Sequence, residues 1–419
     1  MRSRISPALR LLVLAVGVAW TGWFAWNNLL HWLAYGQHDL GHTDFALYYA
    51  FSRIGLLHGW GNLYDLNAQR DVYRSMPGTW WFPLPYAPPM AWLTAPFTAL
   101  PLAPAYWVWS GVLAAAFVAC WWLATPSDPM LRVICLTAGL SPYLSLLGLE
   151  LGQVVVLQLL AVAGAVRLLT GNRPVLAGLS LVLLDIHPQS FYLVPVALLL
   201  FGARRAVLSW AAASAVLIAV AGATLGLHGV EQYFHRLVLA VRSPVEFYVS
   251  FPVDLPLMIH NRWLRVAVMT VLASLALFTA WRERNNRIEI ALAAGLIGSV
   301  LVTPFIHLDD LMVLVLAGWL TLRRRLAPAY SWLLAAGAAV AVLLDVDRLR
   351  HYGWLIVAFE VVWLVTLAAL PPFRRLRTTR PEPSVVLAGL PGKYAGAPQY
   401  QDTSLRSDPT TATDTWVNR

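Results

Sequence analysis

The stretch Leu11-Leu12-Val13-Leu14-Ala15-Val16-Gly17-Val18-Ala19-Trp20-Thr21-Gly22-Trp23-Phe24-Ala25-Trp26-Asn27-Asn28-Leu29-Leu30 decides the fold. Its twenty residues carry no charge, and a helix of about that length crosses about 30 Å of hydrocarbon. Arg2, Arg4 and Arg10 precede it. A signal peptide has an apolar core of about 7–15 residues and then a small-residue cleavage site. This run is longer and lacks such a site, so it reads as an uncleaved first span with its N-terminus in the cytoplasm.

The rest of the chain repeats the pattern. Of 419 residues, 59% are hydrophobic and 12% charged, with a mean hydropathy of +0.62. Soluble domains carry about 25% charged residues. The composition excludes an ordinary soluble enzyme, a disordered regulator and a nucleic-acid-binding domain. Continuous apolar runs, not alternating ones, argue against a β-barrel. The expected class is an all-α polytopic membrane protein. Spans are expected at 85–100, 105–124, 131–149, 152–169, 174–201, 206–226, 263–281, 288–303, 308–322, 328–344 and 353–370, about twelve with the first. The runs at 131–149 and 174–201 are broken, by Ser141-Pro142 and by Asp185-Ile186-His187-Pro188. Such breaks are tolerated only against protein or a water-filled cavity.

The net charge of +9 is a topology signal. Lys393 is the only lysine, and the arginines cluster between apolar runs at Arg204-Arg205, Arg282 to Arg287, Arg323 to Arg325 and Arg374 to Arg380. These are expected to be cytoplasmic loops. Residues 31–83 and 227–261 become outer segments, and all ten histidines fall in or beside the outer face. The expected domains are a membrane domain, 1–373, and a Pro-, Gly- and Ser-rich cytoplasmic tail, 374–419, expected to be disordered. Cys120 and Cys135 lie in apolar runs without disulfide or metal spacing.

The first outer segment carries the most chemistry. In Thr43-Asp44-Phe45-Ala46-Leu47-Tyr48-Tyr49, Thr43 suits a helix N-cap, and Asp44 and Tyr48 share a helix face. A carboxylate at the interface can take a proton from a hydroxyl; an acid in a first helical turn also suits the macrodipole with no chemistry at all. The aromatic stretch Trp80-Trp81-Phe82-Pro83-Leu84-Pro85-Tyr86 is an interfacial belt or a sugar platform. Glu150 and Gln153 stand at the mouth of a span. Asp309 and Asp310 follow His307 and either position it or end the turn, and Glu360 is acidic in mid-span. His38-Asp39-x-x-His42 invites a metal, but Gly41 disfavours the helix that would place both histidines together. The segment 230–239 has the spacing of an interfacial amphipathic helix. Arg236, Arg242 and Arg262 are the outer cations available to a lipid phosphate, or surface arginines beside anionic headgroups.

Asp44-Phe45-x-x-Tyr48-Tyr49, then Leu63-Tyr64, then Tyr86-x-Pro88-Pro89 and the Leu100-Pro101 turn together resemble glycosyltransferase family 87. Gly152-Gln153 opening a span, His187-Pro188 ahead of Arg204-Arg205, and Thr303-Pro304-Phe305-Ile306-His307 also look like that family, over roughly residues 10–325. The resemblance implies a GT-C-like bundle and a polyprenyl-phosphate-mannose-dependent transferase. It implies Asp44 as catalytic base and His307 as a group near the cavity. Tyr48, Tyr49, Tyr86, Glu150, Gln153, His187, Arg236 and Arg262 are then candidates to bind donor or acceptor. His187 departs from the family, which usually has lysine there.

The expectation is a multi-pass cell-membrane enzyme with both termini cytoplasmic and its site extracytoplasmic. It moves a hexose from a polyprenyl phosphate-sugar to a glycolipid or glycan hydroxyl with inversion. Membrane lipids are partners; cofactor, metal and nucleic acid are not expected. The alternative is a non-enzymatic lipid or small-molecule transporter, which predicts ionisable groups in mid-membrane and an internal repeat.

Overall fold

The computed structural model describes residues 7–76, 78–79, 85–242, 255–303, 306–324, 328–343 and 352–369. All belong to a compact unit, Met1–Phe373. Trp80 to Leu84, residues 243–254, Pro304-Phe305, His351, the side chain of Arg242 and the tail 374–419 lie outside the described residues. Seventeen α-helices and several 3-10 turns make up the described chain, with no strand among the described residues.

The first group is α1 (Pro7–His38), α2 (Asp44–His58), α3 (Leu66–Arg74) and α4 (Pro88–Thr94). Then come α5 (Leu102–Ala124), α6 (Pro129–Leu140), α7 (Tyr143–Glu150), α8 (Val155–Thr170), α9 (Pro174–Ser180) and α10 (Leu193–Phe201). The last group is α11 (Arg204–Arg242), α12 (Leu255–Met258), α13 (Arg262–Arg282), α14 (Ile288–Val302), α15 (Met312–Arg323), α16 (Pro328–Leu343) and α17 (Trp354–Ala368). Among the described residues, three helices combine the length and hydropathy needed to cross a membrane: α5, α11 through Val238, and α13. α6, α8, α14 and α17 are apolar but shorter. The stretch 85–100 is no single helix: α4 gives way to a 3-10 turn at Ala95–Ala99, too short at 1.5 Å per residue to cross alone.

α14 is the central rod. Every residue from Ile288 to Leu301 is buried, against α13, α15, α10 and α17. The most apolar window of α11, by contrast, is almost wholly unburied by protein, as a helix facing lipid should be. Gly226, at φ +64°, kinks α11. The kink falls where the expected span ends and the expected amphipathic segment begins.

Polar side chains satisfy the helix breaks. Asn28 Nδ2 of α1 donates to the carbonyls of Leu140 (3.1 Å) and Ser141 (2.8 Å), where α6 hands over to α7. Gln158 Nε2 of α8 is shared among the carbonyls of Leu183, Leu184 and His187, at 3.2, 3.2 and 2.9 Å. Buried backbone groups without water need such partners, so both interrupted runs are held by a neighbouring helix.

Candidate functional site

Thr43 caps α2: its Oγ1 accepts from the Ala46 amide at 3.2 Å, which places Asp44 in the first helical turn. The same end of α2 is pinned to the turn between α7 and α8 by the Phe45 amide donating to Leu151 O at 3.0 Å. That turn needs Gly152. Its φ is +75°, and a Cβ there would sit 2.8 Å from the Cβ of Phe45. Trp109 Nε1 donates to Gly152 O at 2.7 Å, and Phe45 stacks on the Trp109 ring. The next side chain, Gln153, is thereby aimed at Asp44.

Gln153 Nε2 donates to Asp44 Oδ2 at 2.6 Å, and Tyr48 donates its phenol proton to Gln153 Oε1 at 2.6 Å. The carboxylate can only accept, so it fixes which end of the amide faces it. Tyr86 OH reaches Asp44 Oδ1 at 3.4 Å, while its ring packs edge-on to Tyr48. Asp44 as a residue is half-buried. Burial in protein raises its pKa; the charge of His307 and the hydrogen bonds from Gln153 and Tyr86 pull the other way without cancelling it.

A second strand of the site comes from two distant breaks in the helices. Asp310 is buried and satisfied on both oxygens. Ser190 Oγ donates at 2.7 Å, Gln189 Nε2 at 2.9 Å and the His307 amide at 3.1 Å. Thr303 Oγ1 adds a bond to Gln189 O at 2.7 Å. These contacts clip the 187–191 turn to the 303–311 segment. His187 Nδ1 stands 4.0 Å from Asp310 Oδ1. His307 is exposed and near enough for its charge to act on Asp44. Asp309, beside it, is also buried.

Other candidates are placed elsewhere. Glu150 is fully buried and lies with His31 Nδ1 and the Tyr143 hydroxyl, each at 2.9 Å. Tyr49 OH donates to Leu100 O at 2.8 Å and anchors α2 to the turn before α5. Arg236 shares Tyr64 O at 3.3 Å, and Tyr64 OH donates to Tyr86 O at 2.6 Å, so Arg236 borders the site through one tyrosine. Arg262 is exposed over the Trp263 ring. His38 ends α1 and His42 ends a separate 3-10 turn, so they share no helix face. Among the described residues no group of three or more His, Cys, Asp or Glu side chains is arranged to hold a metal ion.

Gln189 and Ser190 carried no signal in the sequence beyond following Pro188. The division of labour between Asp309 and Asp310 was equally hidden.

Chemically, the site offers a carboxylate of fixed orientation on a half-buried residue, a histidine whose charge reaches it and the half-buried Tyr86 against it. No curated protein and no solved structure matches the chain. The sequence model of glycosyltransferase family 87 matches residues 84–304, more than half of the chain. Gln153, His187 and Tyr86 fall within that match; Asp44 and His307 fall outside it. The chain therefore belongs to glycosyltransferase family 87 and is a membrane glycosyltransferase.

Proposed function

We propose that the protein transfers a hexose, mannose in the first instance, from a polyprenyl phosphate-sugar to a hydroxyl of a glycolipid or glycan. The bundle is of GT-C type with about twelve membrane segments, both termini cytoplasmic and the Asp44 end extracytoplasmic. The observation that carries this reading is the Tyr48–Gln153–Asp44 chain, which fixes the orientation of a carboxylate that no arginine or lysine among the described residues is seen to pair.

In the proposed reaction Asp44 takes the acceptor hydroxyl's proton. The acceptor oxygen forms a bond to the anomeric carbon on the face opposite the phosphate. The bond from that carbon to the phosphate oxygen breaks, and the polyprenyl phosphate leaves with the electron pair. The product is inverted. Reaction requires the two oxygens in line, with the attacking one about 3–3.5 Å from carbon. His307 orients the acceptor or the phosphate, the half-buried Tyr86 walls the sugar, and the wholly buried Tyr48 acts through Gln153. The family match supports transfer over the transport alternative.

The test is full-length protein in lipid nanodiscs with a polyprenyl phosphate-mannose donor and a panel of glycolipid acceptors. Sugar transfer by the parent, lost in Asp44→Asn, is expected. Undiminished transfer by Asp44→Asn removes Asp44 from the role of base.

A further inference from the structure

Asp44 is held twice by one turn. The amide of Phe45, its neighbour in the chain, donates to Leu151 O at 3.0 Å, and Gln153 Nε2 donates to its carboxylate at 2.6 Å. Both partners lie in the short link between α7 and α8, and Glu150 is the residue that enters it. Helix α7 closes there in a tight cap. The Gln153 amide donates to Gly148 O at 2.8 Å, the Gly152 amide donates to Leu149 O at 3.2 Å, and Gly152 is left-handed. Such a cap leaves little slack between Glu150 and Gln153.

Glu150 is fixed through its side chain, which lies wholly inside the protein. Its Oε2 meets His31 Nδ1 and its Oε1 accepts from the Tyr143 hydroxyl, both at 2.9 Å. The imidazole is held in turn: it stacks on Tyr35 and meets the edge of Tyr143. His31 belongs to α1, so the carboxyl ties that helix to the turn. Tyr106 of α5 adds a third helix by donating to Glu150 O at 2.7 Å.

A carboxyl is a poor choice for an anchor that only packs. Replacing a buried, paired acid by an apolar side chain of similar volume is often neutral or stabilising. What the carboxyl supplies is direction, because two hydrogen bonds on two oxygens hold one orientation. Direction matters most in the next three residues, since a catalytic group must be held within about 0.5 Å of its working geometry.

Resting on the reaction proposed above, we propose that Glu150 is a positioning residue for sugar transfer. Clamped by His31 and Tyr143, it sets the turn from which Leu151 and Gln153 aim Asp44. It touches neither donor nor acceptor, and no proton passes through it.

The test uses the full chain in lipid nanodiscs and two readouts. One is transfer kinetics per folded molecule with the polyprenyl phosphate-mannose donor. The other is hydrogen–deuterium exchange of the peptides that carry the Phe45 and Gln153 amides. Glu150→Leu removes both hydrogen bonds of the clamp and fills much of the space. It is expected to lower kcat about tenfold, to leave KM for donor and acceptor within twofold, and to speed exchange at both amides at least fivefold. Glu150→Gln keeps an acceptor for Tyr143 and a donor for His31 Nδ1, and should return kcat to within threefold of the parent. In a Gln153→Leu background E150L should cost less than threefold in kcat, because the main route it acts through is already cut. A raised KM with kcat kept makes Glu150 a binding residue and overturns the proposal. So does an unchanged kcat, or the same tenfold loss in both backgrounds. Should E150L not fold, His31→Phe cuts one arm of the clamp at a half-exposed side chain. A kcat lowered about threefold at unchanged KM then supports the proposal, and a parental kcat overturns it. The two readings fail separately, because exchange needs no sugar transfer. If the parent transfers sugar but E150L exchanges like the parent, the positioning role is wrong and the transferase stands. If E150L loosens both amides but the parent transfers no sugar, the transferase reading is wrong and Glu150 still sets the turn.

Discussion

Buried acids sit at both ends of this bundle and are treated differently. At the arginine-rich end, Glu283 takes Arg287 through a two-point contact, with Nε to Oε2 at 2.6 Å, and also meets Arg282 at 3.2 Å. Glu289, at the start of α14, takes Arg324 at 2.7 Å and Arg323 at 3.8 Å. Arg282 and Arg323 go on to bond the main-chain carbonyls of Leu367, Ala368 and Leu123. At the other end, Asp44 and Asp310 receive hydrogen bonds from amides, hydroxyls and a backbone N–H. Paired charges lock helix ends together. Carboxyls given neutral donors are not locked into an ion pair, and Asp44, whose pKa burial raises, keeps a proton affinity suited to acid–base chemistry.

The largest expected effect is on Asp44. Asp44→Asn should lower the turnover of sugar transfer by about 10²–10⁴-fold, the usual contribution of a general base. The same variant should be no less stable than the parent. Because burial raises the pKa of Asp44 in the folded state, its protonated form favours folding. That stability is fully present at pH values below the unfolded carboxyl's pKa and is lost as pH rises through the raised folded value. Melting temperature as a function of pH should fall less steeply in the variant. If D44N lost both turnover and stability, Asp44 would belong with the structural acids of the opposite end.

Breaking a pair at the arginine end should do the reverse. Arg287→Ala leaves Glu283 buried with one partner fewer and is expected to cost about 3 kcal/mol of stability. Thermal unfolding in detergent reads the loss, and transfer per folded molecule should stay within a factor of about three, since nothing at that end touches the proposed site. A large drop in specific activity would erase the contrast between the ends.

Gln153 sharpens the comparison, because it is the neutral partner that stands where the opposite end has arginine. Gln153→Leu removes a hydrogen bond that lowers the pKa of Asp44. The pKa then rises further, and the acid limb of the pH–rate profile should move to higher pH. Rate at neutral pH should fall about 10–100-fold as the base is both misoriented and more protonated. An unmoved acid limb would show that Gln153 does not hold the base.

Part of this arrangement is legible in the sequence. The Thr43 cap, the shared face of Asp44 and Tyr48, the break at 185–188 and the end of a span near Gly226 are local patterns, and local patterns survive into the fold. The partners were not legible, because they are far apart in the chain: Gln153 lies 109 residues from Asp44, and Gln189 lies 121 from Asp310. The helical period tells which face a residue occupies but not which helix arrives there. Glu150 shows the difficulty. It lies three residues before Gln153, yet α7 turns it toward His31 and Tyr143 and away from Asp44. The stretch 85–100 misled in another way. Its apolar residues pack against α2 and the start of α5 as a short helix and turn, and hydropathy cannot distinguish burial in protein from burial in lipid.

The smallest effect separates two adjacent tyrosines. Tyr48 and Tyr49 are both buried and differ by about 100° around α2. Tyr48 ends on Gln153, in the chain that orients Asp44; Tyr49 ends on Leu100 O, outside it. Each phenylalanine substitution removes one hydroxyl and its hydrogen bond, so each should cost about 1 kcal/mol of stability. Their kinetics should part. Tyr48→Phe frees Gln153 Oε1, loosens the amide and is expected to slow transfer about three- to tenfold, a loss smaller than that of Gln153→Leu because Gln153 still donates to Asp44. Tyr49→Phe should leave transfer per folded molecule within about twofold, because the bond it loses ends on a backbone carbonyl outside the chain to Asp44. Equal losses of rate in the two variants would mean that α2 acts on the reaction as a rigid whole, and that the hydrogen-bonded route through Gln153 carries no special share of the orientation.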